Sequence, residues 1–100
     1  MNKKLPEKLE TLIDYYSGDA SWEEFSNGFD VDDSSVKSLV TKFNIEQSTA
    51  VVIEWHIREQ YAEQWFNKKT PALYDLRPID VLKQYDNGEI CLRVILRRMH

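Results

Sequence analysis

Residues 65–82 read Trp65-Phe-Asn-Lys-Lys-Thr-Pro-Ala-Leu-Tyr-Asp-Leu-Arg-Pro-Ile-Asp-Val-Leu82. Pro71 and Pro78 divide this stretch, and each removes a backbone donor and restricts the residue before it. No helix is therefore expected to run through either proline. The stretch is nevertheless rich in apolar side chains, which a mobile linker would not need. We predict a proline-containing loop over residues 67–78 that packs against the body of the protein or against a partner.

Apolar residues recur at helical spacing on both sides of this loop. A first helix is predicted from about Pro6 to Gly18. A second begins at Ser21-Trp-Glu-Glu24, which fits a capping box. A third helix is predicted after Asp32-Asp-Ser-Ser35, and a fourth from about Gln47 to Phe66. A fifth is predicted from Pro78 to about Tyr85, and the last from Glu89 to Met99. In the last helix, Arg93, Arg97 and Arg98 are expected to face water.

The predicted central helix, from Gln47 to Phe66, contains a conflict of propensities. Its first half, Thr49-Ala-Val-Val-Ile53, is rich in β-branched residues, so a strand at 49–57 is the main alternative. Its second half is made of strong helix formers. We predict one long buried helix, and with it an all-α fold, a small bundle of five to six helices.

A chain of 100 residues predicts a single domain, 1–100. Within it, residues 1–45 form an acidic helical subdomain, and residues 46–100 combine the central helix with the proline loop and the last helices. The hydrophobic fraction of 42% and the charged fraction of 30% are ordinary for a soluble globular protein. Because no signal-peptide segment or apolar run of membrane-spanning length occurs, we expect a soluble, cytoplasmic protein that does not bind membranes.

Charge is distributed unevenly along the chain. No Lys or Arg occurs between Lys8 and Lys37, whereas eight acidic residues do, and the last helix reverses this pattern with three arginines. An acidic amino-terminal half and a basic carboxyl terminus predict an oriented electrostatic field and a protein partner. The net charge of −4 argues against a dedicated nucleic-acid binder, because neutralising phosphates requires clustered cations.

Residues that could carry catalysis or bind a metal are few. Cys91 is the single cysteine and lies between Ile90 and Leu92, which favours a buried hydrophobic side chain over a reactive thiol. His56 is interpreted as a hydrogen-bonded residue at the edge of the core. The acidic run 30–34 lacks the glycine and the glutamate of a calcium loop, and glycines that cradle phosphate are absent. We expect no metal, no cofactor and no enzymatic activity.

Residues 22–39 carry the spacing of a helix-turn-helix, with two apolar residues on each side of a turn. The helix that would enter the DNA groove opens with Asp32 and Asp33, which would repel phosphates. DNA binding is therefore not expected through this chain alone, although a DNA-binding repressor that uses residues 22–43 remains an alternative hypothesis.

The organising stretch resembles the toxin-binding domain of the Xre/MbcA/ParS antitoxin family. In that family a Trp-Leu pair is followed by Asn-Pro-Ala-Leu-Gly-Gly, then by Pro-Leu-Asp-Leu-Leu, a glycine and a closing helix. The resemblance covers about residues 65–98, and the matching residues are Trp65-Phe66, Pro71-Ala72-Leu73, Pro78, Asp80, Leu82 and Gly88. Two departures lie in the loop, where Thr70 replaces the Asn and Tyr74-Asp75 replaces the two glycines, so a different backbone is expected there.

The resemblance implies a small bacterial antitoxin that binds a RES-domain, NAD-consuming toxin and blocks its active site. A homodimer is compatible with the many apolar side chains. Besides the antitoxin and the DNA-binding repressor, a third hypothesis is an assembly or host-defence-inhibitor module of a mobile element. The predicted partner-binding residues are Trp65, Pro71, Leu73, Arg77, Asp80, Arg93, Arg97 and Arg98.

Overall fold

The computed structural model describes residues 3–100. Seven α-helices and one 3-10 turn occur over this range, and no β-strand does, so the predicted all-α class is confirmed, with more helices than the five to six expected. The helices are α1 Glu7–Ile13, α2 Asp19–Asn27, α3 Asp33–Phe43, α4 Gln47–His56, α5 Glu59–Asn67, α6 Pro78–Gln84 and α7 Gly88–Met99, and the 3-10 turn is Pro71–Leu73. None of these helices has the length and apolarity that a membrane crossing requires.

The chain forms two compact units. The central unit is Ser17–Glu63, in which α2 and α3 pack against α4. The terminal unit joins the residues up to Tyr16 with Gln64–His100, and in it α7 packs against α1 and α6. The predicted boundary between residues 45 and 46 falls inside the central unit, and the prediction of one domain stays a prediction.

The predicted central helix is two helices, and this prediction was wrong. α4 ends at His56 and α5 begins at Glu59, because Arg58 adopts a left-handed conformation with φ of 81°. The Arg58 amide donates to the Ile53 carbonyl at 3.1 Å, and the buried Glu54 carboxylate accepts from the Glu59 amide at 3.2 Å. Backbone groups on both sides of the break are thus satisfied, which stabilises the interruption.

The β-branched segment forms α4, and the strand alternative at 49–57 is excluded. Thr49, Ala50, Val52 and Ile53 are each fully buried in the central unit. Because burial of a helix face stabilises more than β-propensity destabilises, packing decides between the two local states.

The capping box predicted at Ser21–Glu24 does not form. α2 begins two residues earlier, with Gly18 in the N-cap position, and the Ser21 hydroxyl accepts from that of Ser17 at 2.9 Å. The prediction for the next helix holds, since Asp32 is the N-cap of α3 and its carboxylate accepts from the Ser35 amide at 3.0 Å.

Candidate partner-binding surface

The proline loop of the terminal unit is a closed turn. Pro71 begins the 3-10 turn and is exposed, and Leu73 ends it with a fully buried side chain. The Thr70 amide donates to the Leu76 carbonyl, and the Asp75 amide donates to the Thr70 carbonyl, both at 3.0 Å. Leu73, which was predicted to bind a partner, instead anchors the turn to the core and is not accessible, whereas Pro71 is exposed.

Two consecutive residues of this turn have left-handed backbones. Tyr74 has φ of 56° and Asp75 has φ of 65°, a conformation that glycine adopts readily and other residues adopt at a cost of about 1 kcal/mol each. These are the two positions where the resembled family has glycines. Both residues adopt a conformation that glycine favours, and the prediction that the backbone differs from the family's stays a prediction. Tyr74 is 50% exposed at the tip of the turn.

Arg77 and Asp80, both predicted to contact a partner, are joined to each other. Arg77 is the N-cap of α6, and its guanidinium donates two hydrogen bonds to the Asp80 carboxylate, at 2.7 and 2.9 Å. The hydrogen bond from Arg77 lowers the pKa of Asp80. Because the pair is partly exposed and its geometry is bidentate, it presents a fixed dipole at the start of α6.

Arg93 does not face water, and the prediction that it does was wrong. Its side chain is buried and donates to the Tyr16 hydroxyl at 2.8 Å, with the Glu89 carboxylate at 3.5 Å. A buried arginine with these partners ties α7 to the residues that follow α1. It is therefore a structural residue of the terminal unit.

Arg97 and Arg98 are exposed near the end of α7, as predicted. The Arg98 guanidinium lies over the Tyr15 ring, 5.1 Å from its centroid, and Tyr15 is 71% exposed. Trp65 is half-buried and packs edge-on against the buried Phe66, with ring centroids 5.0 Å apart.

Two exposed tyrosines that no sequence pattern singled out are in contact with cations. Besides the Tyr15–Arg98 contact, the Lys8 ammonium lies 5.7 Å from the centroid of the Tyr74 ring. Lys8 lies on α1, and Tyr15 lies two residues after the last residue of that helix. We call Tyr15, Tyr74, Lys8 and Arg98 the tyrosine surface. The adjacent residues Tyr15 and Tyr16 are only a weak sequence signal for this surface, because only the folded chain shows which of the two is exposed.

Neither Cys91 nor His56 lies in surroundings that would activate its side chain. Cys91 is fully buried, and burial raises the pKa of its thiol to about 11, so the thiol stays protonated at neutral pH. The His56 ring lies with Nδ1 2.9 Å from the Val52 carbonyl oxygen and is half-buried. Among residues 3–100, no group of three or more His, Cys, Asp and Glu side chains is arranged to hold a metal ion.

The two units carry opposite charge. The central unit has ten acidic residues against three basic ones, a net charge of −7. The terminal unit has ten basic residues against seven acidic ones, a net charge of +3. The central unit contains α2 and α3, the helices of the possible helix-turn-helix. The hydrogen bond from the Ser34 hydroxyl lowers the pKa of the Asp32 carboxyl, which caps α3. A phosphate backbone would be repelled here.

No protein-family model, curated protein or solved structure matches this chain.

Proposed function

We propose that this chain is a non-enzymatic, antitoxin-like protein that binds a partner protein through the terminal unit and inhibits it. The observation that carries the proposal is the turn at residues 70–76, which holds an exposed tyrosine on a left-handed backbone. Such backbone conformations persist only where surrounding structure enforces them, and they are frequent at active sites, ligand clamps and switch regions. Residues 65–98 resemble an antitoxin domain, and this resemblance supports the proposal that the partner is a RES-type, NAD-consuming toxin in the bacterial cytoplasm.

The tyrosine surface supplies the kind of side chains that dominate binding energy in interfaces. Tyrosine and arginine are enriched among such residues, because they bury a large area and still donate hydrogen bonds. The exposed Arg97 adds a further cation beside Arg98. We propose that the contact surface consists of Pro71, Tyr74, the Arg77–Asp80 pair, Tyr15, Arg97 and Arg98.

The test is co-expression of the tagged full chain with the product of the neighbouring gene, followed by co-purification, affinity measurement and assay of cellular NAD. We expect Tyr74→Ala and Arg98→Glu each to weaken binding about tenfold or more and to reduce neutralisation, since truncation of a central interface residue costs about 1–4 kcal/mol.

Matched controls come from the central unit. Tyr61→Ala removes a tyrosine that is 54% exposed, and Lys37→Glu reverses an exposed cation. Both variants should bind as the parent chain does. If the neighbouring protein does not co-purify with the parent chain, or if the two control variants weaken binding as much as Tyr74→Ala, the proposal fails.

The acidic central unit argues against the alternative of a DNA-binding repressor. A gel shift on the chain's own upstream DNA at low salt should show no complex. A complex whose affinity falls steeply with salt would replace the present proposal with that alternative.

A further inference from the structure

The central unit contains a connected series of aromatic rings that leads from its core to its surface. Trp22 is buried and donates from its indole nitrogen to the Ser48 hydroxyl at 3.0 Å. The Phe25 ring lies 5.6 Å from that of Trp22, and the Phe29 ring lies 5.0 Å from that of Phe25 in edge-to-face geometry. Phe29 then contacts Trp55, with centroids 5.2 Å apart.

The outer end of this series is accessible. Trp55 is 42% exposed, and Phe25 and Phe29 are half-buried. The rings come from two parts of the chain, since Phe25 lies on α2, Phe29 follows it, and Trp55 is near the end of α4. We call Phe25, Phe29 and Trp55 the aromatic face. Its rings are held by one another and by the anchored Trp22, so little side-chain entropy is lost when a ligand contacts them.

Carboxylates outnumber cations in the segments that supply this face. The segment that supplies Phe25 and Phe29 lies in the stretch between Lys8 and Lys37, which has no Lys or Arg. Within four positions of the three rings along the chain, the exposed acids are Glu23, Glu24, Asp30, Asp32, Asp33 and Glu59. The central unit has three cations, of which Arg58 is exposed three positions after Trp55 and Lys42 lies 3.2 Å from the Glu63 carboxylate. The net charge of −7 therefore acts on any molecule that approaches the aromatic face.

These two properties select one kind of occupant. Exposed indole and phenyl rings attract a guanidinium through its charge and its flat shape, and arginine does this more often than lysine. The surrounding carboxylates repel nucleic acid and acidic peptides and attract a basic segment from a distance. An uncharged apolar segment could pack against the rings but would gain nothing from the electrostatic field of the carboxylates.

We propose that the aromatic face of the central unit binds an arginine-rich segment of a protein partner, which places a guanidinium against Trp55 and pairs further arginines with the adjacent carboxylates. This site is separate in sequence and opposite in charge from the tyrosine surface, and it does not depend on the antitoxin-like function proposed above.

The test uses the full chain with a labelled oligo-arginine peptide and an oligo-lysine peptide of equal length, followed by fluorescence anisotropy at low and at physiological salt. We expect the arginine peptide to bind several-fold more tightly than the lysine peptide. Trp55→Ala should weaken arginine-peptide binding about tenfold and should bring the two peptides close to equal affinity, because the stacking contact is lost.

Three further variants keep the test decisive. Trp55→Leu preserves apolar bulk without the indole and should behave as Trp55→Ala does, which covers the case in which the alanine variant does not fold. The double variant Glu23→Gln, Glu24→Gln should weaken both peptides equally and reduce the dependence on salt. Tyr61→Ala, which removes an exposed aromatic ring elsewhere in the same unit, should change neither affinity.

Several results would overturn the proposal. Equal affinities for the two peptides in the parent chain would mean that charge alone acts. Unchanged arginine-peptide binding in Trp55→Ala and Trp55→Leu would remove the aromatic face from the site. Self-association of the parent chain that these variants abolish, measured by light scattering, would assign the face to a second copy instead.

Discussion

Gly88 begins α7 at a place where two helices of the terminal unit approach closely. A Cβ atom built on Gly88 would overlap the Val81 carbonyl oxygen and would lie 2.8 Å from the Val81 carbonyl carbon. Both are backbone atoms of α6, so no side-chain rotation can relieve the overlap. The glycine is required by this approach, whereas its sequence context, Asp86-Asn-Gly88, indicates only a turn.

We expect Gly88→Ala to lower the free energy of unfolding by about 3 kcal/mol or more, because the helices must separate to admit the methyl group. Urea unfolding followed by circular dichroism measures this. Gly28→Ala is the matched control, since its Cβ would lie 3.4 Å from the Phe25 carbonyl oxygen, close to ordinary van der Waals contact, and it should change stability by about 1 kcal/mol at most. Similar losses in the two variants would contradict the account of Gly88.

The thiol of Cys91 couples stability to alkaline pH. Burial raises its pKa from 9.0 to about 11. Between these two pH values the unfolded chain loses the thiol proton while the folded chain keeps it. The free energy of unfolding is therefore unaffected by this thiol below pH 9.0 and falls as the pH rises above it, by at most about 1.4 kcal/mol per pH unit.

Comparison with Cys91→Ala isolates this effect from other alkaline titrations. The parent chain should lose more stability between pH 9.0 and about 11 than the variant does. In addition, a thiol reagent should react with the parent chain only after denaturant is added. Rapid labelling of the folded chain, or identical pH profiles for the two proteins, would show that the thiol is not protected.

At the scale of elements, the interruption between α4 and α5 is the largest departure from the predicted helices. The run from Gln47 to Phe66 contains no proline or glycine, so local rules predict continuity. The interruption depends on the left-handed Arg58 and on the buried Glu54 carboxylate that accepts from the Glu59 amide. Neither the backbone conformation nor the burial can be read from residue type alone.

Arg58→Gly tests this junction. Glycine adopts positive φ without the steric cost that Arg58 bears, so we expect the free energy of unfolding to rise by about 0.5–1 kcal/mol. Gln60→Gly, in the first turn of α5, should instead lower it by up to about 1 kcal/mol, since glycine is a poor helix former. Thermal and urea unfolding both report the difference. A loss of stability in Arg58→Gly would show that the side chain matters more than the backbone conformation.

Other elements follow their local signals. Pro71 and Pro78 each occupy the first position of a short helix, as their fixed φ favours, and Asp32 caps α3. The apolar stripe Val36, Leu39 and Phe43 of α3 is buried as its spacing predicts. These features depend on contacts within one helical turn, and such contacts are determined by neighbours in sequence.

At the scale of the whole molecule, charge is separated between the two units rather than mixed. The basic terminal unit suits an acidic partner surface, and the acidic central unit suits a basic one. The two proposals can therefore be separated by crossed variants. Trp55→Ala should leave binding of the neighbouring-gene protein unchanged, and Tyr74→Ala should leave binding of the arginine peptide unchanged.

The sequence by itself determined the helical class, the proline loop, the N-cap at Asp32, the helix start at Pro78 and the uneven distribution of charge, because each follows from composition or from contacts within a few residues. The tertiary structure decided which side chains are available to a partner. Arg93 is buried against Tyr16, Leu73 is buried beneath its turn, and Phe29 meets Trp55, which lies 26 positions later in the chain. Burial and ring contacts join residues that are distant in sequence, and no local pattern encodes which of them will meet.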